Sequence, residues 1–105
     1  MTGGNVVRIK VRVGDGGDLL APVQEFRGRP AWALWNLINA GGTGCTPITT
    51  PGPRWSHYTY VLRRNGVNVE TVTETHGGAF KGHHARYVLR SPVAVLEIER
   101  EAEAA

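Results

Sequence analysis

The stretch PRWSHYTYVLRRNG, Pro53 to Gly66, reads as one short helix bounded at both ends. Pro53 has the fixed φ suited to a first helical position, and Gly66 follows the dibasic pair Arg63 and Arg64, where a left-handed terminating residue belongs. On a 3.6-residue period Trp55, Thr59 and Leu62 share the inward stripe. Arg54, Ser56, His57, Tyr60, Arg63 and Arg64 then fall on the outer arc, with Tyr58 and Val61 at its borders. A free helix face that offers guanidinium groups, a hydroxyl, an imidazole and a phenol suits phosphate oxygens and the edges of bases.

Upstream of that helix, a second one is expected from Pro30 to Asn39 or Ala40, ended by Gly41 and Gly42. Ala31, Leu34, Trp35 and Ile38 recur at i, i+3, i+4 and i+7 and form its core stripe. Trp32 lies off that stripe beside Asn36 and Asn39, so another segment should cap it; the alternative is a half-exposed aromatic at an interface. Between the two helices, Thr46 and Pro47 can start a helix that Pro51 limits to about one turn. Cys45 reads as a small buried filler, because no cation precedes it to activate a thiolate.

Downstream, Val67, Val69 and Thr71 alternate with Asn68, Glu70 and Val72, and Ala85, Tyr87 and Leu89 alternate with Arg86, Val88 and Arg90. These are two strands of a hairpin whose tip, Thr75 to His84, is rich in glycine and should project and move. At the N-terminal end Val7, Ile9, Val11 and Val13 alternate with Arg8, Lys10 and Arg12, the pattern of a half-buried strand. Leu19 to Arg29 is a connector with a short strand around Val23 to Phe26. Pro92 to Arg100 reads as a strand in preference to a helix capped by Ser91, and pairing with Val7 to Val13 would set Glu97 and Glu99 beside Arg8, Lys10 and Arg12.

A chain of 105 residues suffices for one domain with a modest core, residues 1–105. Hydrophobic residues at 41% and charged residues at 20% are ordinary for a globular protein, and the 14 glycines and 6 prolines call for many turns. No apolar run approaches the about 18 to 20 residues of a membrane span, and a neutral, glycine-rich start is not a signal peptide. A cytoplasmic location is expected. The net charge of +3 hides an asymmetry, since residues 54–90 carry +4 while residues 91–105 carry −3. Basic surface grouped in one segment favours a polyanionic partner.

The order of parts, helix, short turn, helix ending in LRRNGV, then a hairpin returning through HHARYVLR, resembles a winged helix-turn-helix domain. The wording is similar to that of small bacterial and phage winged-helix proteins and covers about Gly28 to Ser91, with residues 5–27 and 92–105 outside it. The resemblance implies an α+β fold with a β-hairpin wing, here with additional terminal strands. It further implies binding of double-stranded DNA by a transcriptional regulator or a phage or mobile-element accessory protein, with Arg54 to Asn65 as the recognition helix. Carried over residue by residue, the DNA contacts would be Arg54, Ser56, His57, Tyr58, Tyr60, Arg63 and Arg64, joined on the wing by Lys81, His83, His84 and Arg86. Pro47, Pro51 and Pro53 shorten the usual second helix, so its backbone-supporting role departs from the pattern.

Other chemistries fit less well. His76, His83, His84 and Cys45 invite a metal, yet adjacent histidines on a strand point to opposite faces; no metal and no cofactor are expected. The GGTG of Gly41 to Gly44 lacks the lysine of a phosphate cradle and follows a helix, and no nucleophile elbow is present, so an enzyme is not expected. The serious rival is a protein-interaction module on the same scaffold. A domain with one recognition helix reads few base pairs, which favours a homodimer through the terminal strands.

Overall fold

Alternation in the N-terminal segment produces β1 (Val6–Val13), which sits at the centre of an antiparallel sheet between β2 (Val23–Arg27) and the C-terminal β5 (Val93–Arg100). The computed structural model describes residues 5–14, 21–76 and 82–101. Ile9 and Val11 are buried on one face of β1 as the alternation requires, but Val6 is buried where Val7 was expected. The register shifts between Val6 and Arg8 against β5, and a bulge of this kind rotates the residues beyond it to the other face.

β5 pairs with β1 as the charges suggested, with Lys10 opposite Glu97 and Arg8 opposite Glu99. Arg8 gathers three carboxylates: Glu99 at 3.0 Å, Glu25 of β2 at 3.3 Å, and Glu97. Its hydrogen bond to Glu97 and the nearby charge hold that carboxyl below its ordinary value, while the Arg8 pKa is raised. For Glu25, burial pushes upward, but Arg27 and Arg8 outweigh it and the net shift is downward.

The first helix, α1, spans Arg29–Ala40. Its core stripe is rotated from the expected one. Ala31, Trp32, Ala33, Leu34 and Leu37 are buried, while Trp35 and Ile38 are only half-buried against the cluster. The reason is that α1 is covered from two sides, by the sheet through β1 and β2 and by the second helix, so its buried arc is wider than one stripe. Trp32 is capped, as expected, by Trp55 at 5.4 Å and Tyr58 at 6.2 Å between ring centroids.

Helix α1 runs into a single 3-10 turn, Gly41–Thr43, and no helix forms between it and α2 (Trp55–Arg64). Thr46 does cap one turn: its Oγ1 accepts the Thr49 N–H at 2.9 Å, and the Thr50 N–H reaches the Thr46 carbonyl at 2.9 Å. Pro53 lies before α2 instead of opening it, and Arg54 is the N-cap, its carbonyl accepting from the His57 and Tyr58 N–H groups at 3.0 Å each. At the other end the Val67 N–H bonds the Leu62 carbonyl and the Gly66 N–H bonds that of Arg63, both at 3.1 Å. That pair of bonds is a Schellman motif with Gly66 at φ 87°, and its apolar partners Leu62 and Val67 are both buried.

The hairpin is β3 (Val69–His76) and β4 (Gly82–Leu89), paired from Val69–Leu89 to His76–Gly82. Pairing therefore extends past the expected tip boundaries: Thr75, His76 and Gly82 to His84 belong to strands because the ladder continues to the His76–Gly82 pair. Residues 77–81 of the tip lie outside the described residues. Cys45, buried as a filler should be, joins the edge of β4, exchanging two backbone hydrogen bonds of 2.8 Å with Tyr87. This bridge ties the hairpin to the segment between the helices.

Candidate nucleic-acid interface

Burial of Trp55, Thr59 and Leu62 fixes which arc of α2 is free. Thr59 is satisfied inside by donating its hydroxyl to the Ser56 carbonyl at 3.0 Å, and Trp55 Nε1 donates to the Thr50 carbonyl at 2.8 Å. Arg54, Ser56, His57, Tyr60, Arg63 and Arg64 are exposed. Tyr58 is not with them: it is only 4% exposed, its ring packed against Trp32 and Trp55. A border residue goes inward when a neighbouring helix supplies a surface to cover it, and here Trp32 does so. The contact role assigned to Tyr58 is corrected to a core role.

The exposed cations are not equivalent. Arg63 folds back onto the hairpin, Nε donating to the Val69 carbonyl at 2.9 Å and Nη2 to Thr71 Oγ1 at 2.6 Å, so it braces α2 against β3. Arg64 Nη1 donates to the Tyr60 hydroxyl at 3.1 Å, and its guanidinium lies 5.8 Å from the Tyr60 ring centroid. His57 flanks the same ring at 6.4 Å with an interplanar angle of 27°. The Arg54 guanidinium has no hydrogen-bond or ion-pair partner among the described residues, and α2 carries no carboxylate at all. Arg29, which sequence reasoning did not single out, extends this surface from the first residue of α1: it stacks on Trp32 at 3.9 Å and reaches the Tyr58 ring at 5.8 Å. Its signal was only its place beside Pro30 at a helix start.

The hairpin register sorts the wing into two faces. Thr71 opposite Tyr87, Thr73 opposite Ala85 and Thr75 opposite His83 share the face on which Tyr87 stacks against Trp55 of α2, with ring centroids at 5.6 Å. Val72 opposite Arg86 and Glu74 opposite His84 share the other. On that second face Glu74 joins Arg86 Nε at 2.7 Å and His84 Nε2 at 3.1 Å, while Arg86 Nη1 donates to the Thr43 carbonyl at 2.8 Å. The hydrogen bond from Arg86 lowers the Glu74 pKa, and Glu74 raises that of Arg86. His83 is exposed on the α2-facing side, whereas His84 and Arg86 lie opposite it and are tied to a carboxylate. Lys81 lies outside the described residues. Burial pushes the Cys45 thiol upward, and among the described residues no group of three or more His, Cys, Asp and Glu side chains is placed to hold a metal ion.

The chain matches the model of the winged helix domain over residues 23–99 and belongs to that family, whose domains typically bind DNA and are generally not enzymes. The match takes in β2 and nearly all of β5 as well as residues 28–91. No curated protein and no solved structure matches the chain. No helix among the described residues is long and apolar enough to cross a membrane.

Proposed function

We propose that this protein binds double-stranded DNA with α2 as its recognition helix, as a transcriptional regulator or an accessory protein of a phage or mobile element. The observation that carries the reading is the free arc of α2, on which Arg54, Ser56, His57, Tyr60 and Arg64 stand together without a carboxylate. An arc of about two helical turns fits the major groove, where arginine reads guanine edges and hydroxyls and cations meet phosphate. His83, Thr73 and Thr75 lie on the wing face turned to the same side and supply backbone contacts. One recognition helix covers few base pairs, so two copies would read a full site, and the edge of β5 that pairs with no other described strand, with Val95 and Leu96 39% and 49% exposed, is where the second copy would add.

Fluorescence titration on duplexes selected from a random pool tests the reading. Arg54→Ala and Arg64→Ala should each weaken binding by about 1 to 3 kcal/mol where they meet a guanine edge, or lower the salt slope by about 1 where they meet phosphate. Arg86→Ala, which removes a cation already neutralised by Glu74, should change the salt slope least. Unchanged affinity for both α2 variants, with an intact circular dichroism spectrum, refutes α2 as the contact helix.

A further inference from the structure

The free arc of α2 holds a chemistry that duplex edges do not use. Tyr60 is 52% exposed although it is a large aromatic, and its hydroxyl is already engaged by Arg64 Nη1 at 3.1 Å. Most of what it leaves exposed is therefore apolar ring surface between His57 and Arg64. At the surface that ring stands between two exposed neighbours, His57 at 6.4 Å and Arg64 at 5.8 Å from its centroid, while the buried Tyr58 beneath them links His57 to Arg29 of α1. The exposed strip is thus two rings followed by a cation. The His57 and Tyr60 rings are near-parallel, 27° apart, and both residues are exposed.

In a duplex every base has both faces covered by its neighbours in the stack, so an exposed tyrosine face finds no partner there except by unstacking. An unpaired base has its faces free. Exposed aromatic rings beside guanidinium groups on a carboxylate-free helix suit single strands, with rings taking the bases and cations the phosphates. We propose that the His57–Tyr60–Arg64 strip binds unpaired bases of single-stranded DNA by stacking, in addition to the duplex contacts of the same helix. The inference rests on α2 being the nucleic-acid face, and it adds a ligand class which that reading does not require.

The probe is a labelled oligothymidylate of about 16 nucleotides, followed by fluorescence anisotropy with the full chain and compared with a hairpin duplex and with an abasic oligomer of equal charge. The oligothymidylate should bind, and the abasic oligomer should bind clearly more weakly. Tyr60→Ala should lower oligothymidylate affinity by roughly 5- to 150-fold, while Tyr60→Phe, which keeps the ring and loses the hydroxyl, should retain most of it. Thermal melting of each variant checks the fold, and Tyr60 is exposed enough for both to fold. Equal binding of the abasic and thymidine oligomers, or an unaffected Tyr60→Ala variant, overturns the stacking proposal. Duplex binding without oligothymidylate binding overturns it while leaving the duplex reading standing. Oligothymidylate binding without duplex binding supports it and refutes the duplex reading, and binding of neither probe refutes both.

Discussion

Gly44→Ala tests the link that sets the wing against the helices. Gly44 has φ 71° and ψ −174°, a backbone region that is essentially restricted to glycine, and a Cβ there would stand 2.4 Å from the Tyr87 carbonyl oxygen and 2.8 Å from Val88 Cγ2. The carbonyl cannot step aside, because it already accepts the Cys45 N–H at 2.8 Å. The conformational strain is worth about 1 to 3 kcal/mol. Opening the Cys45–Tyr87 bridge to relieve the contact forfeits two backbone hydrogen bonds at about 0.5 to 1.5 kcal/mol each. The total, about 2 to 6 kcal/mol, is a large share of the roughly 5 to 15 kcal/mol that holds a domain folded. For a domain of this size that corresponds to a fall in melting temperature of about 8 °C or more. Gly42→Ala is the internal control, since a Cβ there meets nothing within 4 Å and φ lies outside the left-handed region; its effect should stay within about 0.5 kcal/mol. Thermal and urea unfolding followed by circular dichroism measure both. A Gly44→Ala melting point within a degree or two of the parent would refute the bridge as the tie between hairpin and helices.

Two other perturbations follow from the packing and the ion cluster. Leu62→Ala removes a fully buried side chain at the Schellman terminus and should cost about 2 to 5 kcal/mol in urea unfolding, whereas Trp35→Ala, at a half-buried position, should cost less than Trp55→Ala. The folded-state pKa values of Glu97 and Glu25 are depressed below the ordinary value of 4.5, so their contribution to stability is complete above about pH 4.5 and is lost as pH falls through the lower folded values. Urea midpoints measured from pH 7 down to pH 3 should fall with acid, and Arg8→Met should flatten that fall; an unchanged acid slope in the variant would refute the Arg8 cluster as its source.

Much of this architecture was readable because local signals agreed with one another. Gly66 after Arg63 and Arg64 marked a helix end whose backbone bonds were then found, and the opposed charges of Arg8 and Lys10 against Glu97 and Glu99 pointed to the pairing of two strands about 90 residues apart in sequence. The residues that were misread are those decided by a neighbour from elsewhere in the chain. Tyr58 sits at the border of its helical arc, and only the arrival of Trp32 from α1 turns it inward. Leu37 displaces Trp35 from the core because α1 is covered on two sides. Arg63 lies on the outer arc by periodicity, yet the Val69 carbonyl and the Thr71 hydroxyl draw it back onto the hairpin. His84 and Arg86 looked like wing cations until the register placed Glu74 between them; the alternation of Glu70, Val72 and Glu74 was visible in the sequence, but the partner of each was not.

The distribution of carboxylates explains why a net charge of only +3 is compatible with a polyanion-binding face. Glu25, Glu97 and Glu99 converge on Arg8 on the outer face of the β2-β1-β5 sheet, Glu70 meets Arg90 at 2.6 Å, and Glu74 meets Arg86. These five acids therefore neutralise cations of the sheet and the wing, and no described acid stands on α2. Pairs this close act as small dipoles whose field fades within a Debye length of about 8 to 10 Å, whereas an uncompensated guanidinium keeps its full charge toward an approaching phosphate. The partition leaves Arg54, Arg63 and Arg64 without a carboxylate among the described residues, and Arg54 and Arg64, not drawn back onto the hairpin as Arg63 is, stand on a surface where exposed rings, a hydroxyl and an imidazole also stand. Salt dependence is consequently the sharper probe of this protein than charge counting, because it registers only those cations that a phosphate must itself neutralise.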